Sequence, residues 1–213
     1  MRIFNIIIRI KAMARNYIRF DRWILIEKDL SDEITIVPTK TPMQISMDSF
    51  SETIEYIRQT FYDKDLDEEE KRELEYAKKY GHFYPNINKD GKIIGFQKIG
   101  INELYVRSLR KNITLLKNIM FELSVFIDPN HRHKGLGNQL LKCSLRMAKE
   151  KGFQYVRAHV SPKNLGAIKL HSKCGFYEIA RFWHIRLLSW DFVAKDIGKL
   201  KSAKRRPLAV AQK

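Results

Sequence analysis

A basic turn punctuated by two glycines follows an apolar strand near the middle of the chain, within residues 119–137. The turn reads Arg132-His133-Lys134-Gly135-Leu136-Gly137, and Asp128-Pro129-Asn130 ends the strand before it. Leu136 begins an apolar pattern of helical period that stops at Gly152. The turn is therefore placed at a helix N-terminus, where free backbone N–H groups and the positive end of the helix dipole favour a phosphate group.

The residue types in this turn suit an anionic ligand. Gly135 and Gly137 would let the backbone approach the ligand without an intervening Cβ, while Arg132 and Lys134 add positive charge. Glycine pairs beside basic residues also occur in ordinary turns, so the turn alone leaves that interpretation open. Its spacing fits neither a dinucleotide fingerprint, which would need a glycine at Leu140, nor a P-loop, which ends in Gly-Lys-Ser/Thr.

The turn does match the pattern Arg-x-x-Gly-x-Gly, and a second block of residues follows it at a fixed distance. This block contains a predicted strand, then polar, small and apolar positions of a short helix, and a Gly-Phe pair, namely residues 155–160, Asn164, Ala167, Leu170 and Gly175-Phe176. In order and spacing the two blocks resemble the acetyl-CoA-binding motif and the motif after it in the GNAT acyltransferase superfamily. The chain is identified as a member on this resemblance.

The resemblance implies a mixed α/β fold, in which a central, mostly antiparallel and twisted sheet is splayed at the acetyl-CoA site and flanked by helices. It also implies an acetyl-CoA-dependent N-acetyltransferase, with acetyl-CoA as cosubstrate and no metal. In such an enzyme the acceptor amine would attack the thioester directly, so the protein need not form a covalent intermediate.

The resemblance further assigns the cofactor contacts. Backbone groups of three strand residues hold the pantetheine arm and polarise the acetyl carbonyl, the backbone of the turn binds the pyrophosphate, and one asparagine touches the arm. These positions are Val125, Phe126 and Ile127; then Arg132, His133, Lys134, Gly135, Leu136, Gly137 and Asn138; and finally Asn164.

The acid and the base are less clearly marked. Many relatives have a tyrosine after the leucine of the second motif, which protonates the departing thiolate, whereas this chain has His171 after Leu170. His171 is predicted as the general acid because imidazole titrates near neutral pH, and the alternative is a histidine that merely lies near the coenzyme. Glu122 occupies the strand position of a base in some relatives, with an ordinary solvated carboxylate as its alternative. His159 and Tyr155 are further candidates, and the amine can also lose its proton to bulk water.

Hydrophobic periodicity predicts the elements that position these residues. An alternating or acidic-to-basic pattern indicates three strands, two helices and a hairpin before the motif region. They are strands at 23–27, 33–37 and 43–47, a helix from Phe50 to Phe61 capped by Ser49 with Glu52, a helix with its acidic start at Asp65 and its basic end at Lys79, and a turn at 88–91 joining 82–84 to 92–96.

The net charge of +16 is concentrated at the two ends. Six cations against Asp21 give residues 1–24 a charge of +5, and seven cations against Asp196 give residues 195–213 a charge of +6. The predicted organisation is a basic extension over 1–22, an acetyltransferase domain over 23–190, and a basic tail over 191–213. The first twenty residues are Arg-rich and nearly free of acid, as in a transit peptide, but they lack its serines, and an amphipathic helix from Phe4 to Ile18 explains them at least as well. Such ends can contact nucleic acid, ribosomes or anionic surfaces, although solvated basic tails are common.

Composition bounds the remaining possibilities. A chain of 213 residues, 44% hydrophobic and 30% charged, is typical of one folded domain. No apolar run reaches the roughly 20 residues of a membrane helix. Cys143 and Cys174 are the only two cysteines and do not form a CxxC pair, which favours a reducing, cytoplasmic location. The motif that contains Cys174 has no obvious base to activate a nucleophile, which disfavours a catalytic cysteine.

The acceptor is not identified by the sequence. The basic ends would repel a polyamine, which favours an acidic metabolite, a protein terminus or a ribosome-associated target. Two alternatives stay open: a basic nucleic-acid-binding or ribosome-associated protein in which bound CoA is structural, and an acyltransferase that uses a longer acyl-CoA.

Overall fold

The computed structural model describes residues 18–36, 44–47, 50–61, 66–107, 109–187, 190–195 and 206–207. Within these ranges the chain forms eleven strands and four α-helices. In chain order they are β1 (Ile18–Asp29), β2 (Gln44–Ser46), α1 (Phe50–Phe61), α2 (Glu68–Tyr80), β3 (Asn86–Lys89), β4 (Lys92–Gly100), β5 (Glu103–Val106), β6 (Lys111–Thr114), β7 (Ile119–Ile127), a 3₁₀ turn (Pro129–His131), α3 (Leu136–Glu150), β8 (Tyr155–Val160), α4 (Leu165–Lys173), β9 (Tyr177–Leu187), β10 (Trp190–Lys195) and β11 (Arg206–Pro207).

Nine of the described strands form one sheet. Its order is β10-β9-β1-β8-β7-β4-β3-β2, with β11 also paired to β9, while β5 and β6 form a separate hairpin. Every neighbouring pair in the sheet is antiparallel except β7 and β8, which are parallel. The predicted mixed α/β fold with a large, mostly antiparallel sheet is confirmed.

The parallel pair separates part of the way along its length. Pairing of β7 with β8 runs from Ile119 opposite Tyr155 to Glu122 opposite Ala158. Beyond this last pair β7 continues to Ile127, still paired with β4, and β8 continues to Val160. We call the opening between residues 123–127 of β7 and 159–160 of β8 the fork, and the pair Glu122–Ala158 its closed end.

Helices cover both faces of the sheet. Consecutive strand residues point to opposite faces, and in β4 Gln97 bonds to Ser144 of α3 whereas Lys98 bonds to Glu70 of α2. The core between the sheet and α3 and α4 contains Ile26, Met120, Leu141, Leu145, Val156, Ala158 and Ile168. The core beneath α1 and α2 contains Ile57, Leu74, Ala77, Tyr84 and Phe96.

Capping and periodicity explain the helix bounds. Asp67 caps α2 by accepting from the Glu70 N–H, and Gly81 ends the helix with φ +67°, a conformation that favours glycine. The apolar stripe predicted for α3 is confirmed, because Leu136, Leu140, Leu141, Leu145 and Ala148 are all buried.

The N-terminal strands differ from the prediction. β1 begins at Ile18, five residues before its predicted start, and pairs with β8 on one side and β9 on the other. The strand predicted at 33–37 is wrong over residues 33–36, which form no strand. Both edges of β1 are occupied by β8 and β9, so this alternating segment does not pair with β1, and the Thr35 carbonyl instead accepts from Lys142 Nζ of α3 at 2.8 Å.

The hairpin turn is confirmed, but its first arm was predicted too early in the chain. Asp90 and Gly91 have φ values of +52° and +76°, as a two-residue type I′ turn requires, and they join β3 directly to β4. The arm predicted at 82–84 meets the other end of β4, where Phe83 forms an isolated bridge with Ile99. Pro85 has no backbone N–H to continue a ladder, which separates the two segments.

The sheet extends past both predicted domain boundaries. Residues 18–22, assigned to the basic extension, belong to β1, and residues 191–195, assigned to the basic tail, belong to β10. β11 also pairs with β9. The predicted cap at Ser49 and all of the predicted amphipathic helix except Ile18 lie outside the described residues.

Candidate active site

The N-terminus of α3 presents unpaired backbone donors. Gly135 occupies the N-cap position with φ +80°, and no side chain caps the helix there. The first i to i−4 bond runs from Gln139 N–H to Gly135 O at 3.0 Å, so the amides of residues 136–138 precede the hydrogen-bonded turns. A Cβ on Gly135 would meet no atom within 4 Å, which leaves its surroundings open to a ligand. This is the geometry of an anion site.

The basic residues before α3 fold the turn back onto the end of β7. Arg132 Nε donates to the Ile127 carbonyl at 2.9 Å, and Lys134 Nζ donates to the Asn130 carbonyl at 3.1 Å. Both side chains are exposed, and His133 has φ +62°. Arg132 is extended, whereas Gly135, like His133, has a positive φ, of +80°.

The main chain of β7 exposes polar groups along the fork at alternate residues. Asp128 N–H donates to the Ile94 carbonyl at 2.9 Å and continues the register of β4 with β7. Because only every second pair in an antiparallel ladder exchanges hydrogen bonds, Phe126 bonds to β4, whereas Val125 and Ile127 direct their N–H groups towards the fork. This alternation removes the Phe126 main chain from the three residues predicted to polarise the carbonyl.

Close packing fixes the position of this edge. A Cβ on Gly95 of β4 would lie 2.9 Å from the Phe126 carbonyl and 2.6 Å from Ile127 Cδ1, so only glycine allows the observed approach of β4 to β7. The Phe126 ring packs against Phe96 and Phe61, with ring centroids 5.4 and 4.9 Å apart.

The two predicted catalytic side chains meet at the closed end of the fork. His171 Nε2 lies 2.8 Å from Glu122 Oε1, and both side chains are only 4% exposed. His171 Nδ1 lies 2.7 Å from the Ala167 carbonyl. Gln97 Nε2 donates to the second Glu122 oxygen at 2.9 Å, and the Ser144 hydroxyl donates to Gln97 Oε1 at 2.6 Å. We call these four side chains the fork network.

The fork network favours a charged histidine. A carbonyl and a carboxylate are both acceptors, so His171 satisfies both partners by donating from each ring nitrogen, which requires the imidazolium. Burial disfavours that charge, but the Glu122 carboxylate and the bonds to Glu122 and Ala167 outweigh it and raise the pKa of His171 above its ordinary 6.5. The site therefore holds a proton beside the fork.

The remaining predicted contacts have local roles in the fold. The Leu136 side chain is buried, so only its backbone can face a ligand. Asn138 Nδ2 lies 3.3 Å from Cys174 Sγ, and Asn164 caps α4 by accepting from the Ala167 N–H at 3.0 Å.

Two members of the fork network were missed by sequence reasoning. Gln97 lies within the buried part of β4 and Ser144 lies on the apolar stripe of α3, where both are almost fully buried. A polar residue in an otherwise apolar segment indicates a buried hydrogen bond. The sequence does not show which residue forms that hydrogen bond.

The described residues give less support to cysteine nucleophiles and to a metal site. Both cysteines are free thiols, and burial raises the pKa of Cys174 to about 12, which disfavours a thiolate nucleophile. Within the described residues no group of three or more His, Cys, Asp or Glu side chains could hold a metal ion. No described helix is long and apolar enough to cross a membrane.

A forked sheet followed by a helix N-terminus with exposed backbone amides is the arrangement of an acyltransferase fold. The chain belongs to the acetyltransferase (GNAT) family, whose model matches residues 50–176, more than half of the chain. The match includes the turn, the fork network and α4, whereas β1, β9 and β10 lie outside it.

Relatives and solved structures agree with this assignment. An uncharacterized N-acetyltransferase of Methanocaldococcus jannaschii is 29% identical over 98 residues, or 46% of this chain and 39% of that protein. The aminoglycoside N(6')-acetyltransferase type 1 of Salmonella typhimurium is 29% identical over 92 residues, or 43% of this chain and 60% of that enzyme. Both matches therefore span less than two thirds of the relatives' own length.

The fold also resembles that of a GCN5-related N-acetyltransferase from Sphaerobacter thermophilus. The TM-score is 0.58 at 14% sequence identity, covering 84% of this chain and 55% of that one. At this identity the similarity concerns the fold.

Proposed function

We propose that the protein transfers an acetyl group from acetyl-CoA to a primary amine by direct attack of the amine on the thioester. One observation carries the proposal: β7 supplies both an edge of the fork and, where it ends, the anion site at α3. A ligand with an anionic end and an extended arm would follow this path.

The cofactor would be held mainly by backbone groups. The pyrophosphate would accept from the amides of residues 136–138, with Arg132 and Lys134 adding charge and Gly135 leaving room. The pantetheine arm would extend along the fork beside Val125 and Ile127. Asn164, at the start of α4, would flank the arm from the other side.

The reaction needs three things from this site. The neutral amine forms a C–N bond to the acetyl carbon, the carbonyl oxygen gains negative charge, and the C–S bond then breaks to release CoA thiolate. The fork-facing N–H groups of Val125 and Ile127 would donate to that oxygen. The amine nitrogen loses a proton to solvent, and the thiolate takes one up.

We assign the thiolate's proton to the fork network. His171 would be the general acid and Glu122 would keep it protonated, while Gln97 and Ser144 hold the carboxylate in place. In this proposal Glu122 is not the base, because its carboxylate serves to hold the proton on His171.

The acceptor does not follow from the relatives. An aminoglycoside is named for the Salmonella enzyme, and low identity over part of its length does not transfer that substrate to this chain. A nucleic-acid-binding role would depend on the basic ends, which lie largely outside the described residues. The free cysteines support a reducing compartment such as the cytoplasm.

The decisive experiment is mass spectrometry of the purified protein incubated with acetyl-CoA and a panel of primary amines. Free CoA and an acetylated amine should appear in equal amounts. Acyl-CoAs of increasing length, tested in parallel, would show whether the fork accepts longer chains. If no amine releases CoA and acetyl-CoA does not stabilise the protein, the proposal is wrong.

A further inference from the structure

A cavity of about 310 Å³ lies on the sheet face opposite α3 and α4. Its wall includes Phe121 of β7, and the neighbouring Glu122 points to the other face, where it meets His171. The β5–β6 hairpin and the segment after it line the cavity with Ile113 and Leu115. The fork network and this cavity therefore lie on opposite sides of the same strand.

The cavity reaches the closed end of the fork. His159 lines it and lies one residue beyond the last pair of β7 with β8, Glu122 opposite Ala158. The His159 ring stacks on Phe121, with centroids 5.8 Å apart. An amine held in the cavity would thus approach the thioester from the face opposite the fork network.

The wall of the cavity is apolar and has no carboxylate among its described lining residues. Nine of the twelve are apolar, including Leu25 and Phe182, and Thr114, Arg157 and His159 complete the lining. Arg157 Nε donates to Glu27 Oε2 at 2.7 Å, outside the lining, which balances its charge. Burial lowers the pKa of His159 to about 4, so the ring is neutral at pH 7.

We propose that this cavity binds the acceptor, and that the acceptor is a primary amine carried on a compact apolar body, such as an alkyl or single-ring group. This inference rests on the acetyl transfer proposed above and specifies its substrate class. The volume is at the lower end for small-molecule pockets, about 300–1,000 Å³, which limits the body to roughly one or two rings.

The lining also explains how the amine would become reactive. Burial away from carboxylates disfavours an ammonium ion, so the amine tends to enter as the neutral nucleophile. For a polyamine or an aminoglycoside the same wall is unfavourable, because each additional ammonium group would lose water without gaining a carboxylate partner.

A panel of amines with similar basicity tests the substrate class. The wild-type protein should acetylate 2-phenylethylamine with a kcat/KM at least about tenfold above that for ethanolamine, since the apolar body adds binding that a hydroxyl cannot. Spermidine and kanamycin should be poorer still. CoA release, measured by mass spectrometry, gives each value.

Two variants locate the effect in the cavity. Ile113→Trp should fill it and lower kcat/KM for 2-phenylethylamine more than for ethanolamine, whereas Asn112→Trp, the exposed neighbour in β6, should change neither. Leu115→Asp, which adds a carboxylate, should improve spermidine relative to 2-phenylethylamine.

The outcomes separate this inference from the proposed function. Acetyl transfer that favours ethanolamine or polycations would overturn the apolar acceptor but leave acetyl transfer intact, as would an unchanged preference in folded Ile113→Trp and Leu115→Asp. Absence of both acetyl-CoA stabilisation and CoA release would overturn the function, and the acceptor with it.

Discussion

Glu122 and His171 form a buried pair, 2.8 Å apart, that ties strand β7 to helix α4 at the closed end of the fork. The two residues are 49 positions apart in sequence, and each has a second partner: Gln97 for the carboxylate and the Ala167 carbonyl for the imidazole. The pair therefore joins β7, which forms one edge of the fork, to α4, and it places charge where solvent has little access.

Removal of one partner should destabilise the fold. His171→Ala would leave the Glu122 carboxylate buried without its counter-ion, and we expect a loss of about 3 kcal/mol in the free energy of unfolding. His131→Ala is the matched control, because His131 faces Asp128 at 3.4 Å in a partly exposed pair and its loss should change little. Urea denaturation measures both. Equal effects of the two substitutions would show that burial of the pair adds nothing.

The stability contributed by His171 should depend on pH in one direction. The pKa of His171 is raised in the folded protein, so its contribution is full below the unfolded value of about 6.5. It is lost as pH rises through the folded-state pKa. The difference in melting temperature between wild type and His171→Ala should therefore shrink from pH 6 to pH 9. A constant difference over that range would contradict a charged His171.

Turnover should separate a proton donor from a structural pair. If His171 protonates the leaving thiolate, His171→Ala should lower kcat by about 10²-fold with little change in acetyl-CoA affinity. His171→Tyr should recover part of that loss, because a phenol can donate a proton from the same helical position. Assays are run well below both melting temperatures. A loss of less than about threefold, with chemistry rate-limiting, would assign the proton to water, and Glu122→Gln becomes the next test.

Cofactor binding should depend on the backbone at the start of α3. Acetyl-CoA and desulfo-CoA should both raise the melting temperature of wild type by mass action, and Gly135→Asp should abolish the shift by placing a negative charge at the phosphate site. Gly152→Asp is the control at the other end of α3, since Gly152 has a similar φ of +83° and a Cβ added there would also meet no atom within 4 Å. Loss of the shift in both variants would indicate a general effect of backbone strain.

A second buried charge cluster should matter for stability alone. Lys98 Nζ bonds to Glu70 at 2.6 Å and to Glu73 at 3.0 Å beneath α2, away from the fork network. Lys98→Ala leaves the buried Glu73 carboxylate without its cation, whereas Glu70 keeps its bond to Arg107 at 2.7 Å, and the substitution should cost about 3 kcal/mol. Lys71→Ala removes an exposed pair with Glu68 and should stay close to wild type. Denaturant melts compare them, and similar midpoints for the two variants would contradict this account.

Local patterns predicted much of the fold. Three of these patterns lie within short segments: the amphipathic stripe of α3, the acidic-to-basic order of α2 and the Asp90-Gly91 turn. Their physical causes are hydrophobic burial, the helix dipole and the backbone angles of the turn, and each cause acts between residues that are close in sequence. The turn from Arg132 to Gly137 belongs to the same class, because a helix N-terminus is a local feature. The turn could therefore be located from the order of strand, turn and helix residues in the sequence alone.

Only the tertiary structure decided where strands find their partners. The alternating residues 33–36 have the pattern of a strand but follow β1, whose two edges are taken by β8 and β9, whereas Ile18 to Arg22 join the sheet by pairing with β9. Pairing of distant segments depends on which edges the rest of the fold leaves open, and no short window of sequence contains that information.

In the candidate site, too, the residue types are given by the sequence and their contacts by the tertiary structure. From the sequence alone, Glu122 and His171 are predicted as the base and the acid of the two motifs, with His159 and Tyr155 as further candidates. The packing of β4, β7, α3 and α4 brings Glu122 and His171 into hydrogen-bonding contact. The same packing places Gln97 and Ser144 on the other side of the Glu122 carboxylate. The environment of a charged group, and hence its pKa, is set by neighbours that folding brings from far along the chain.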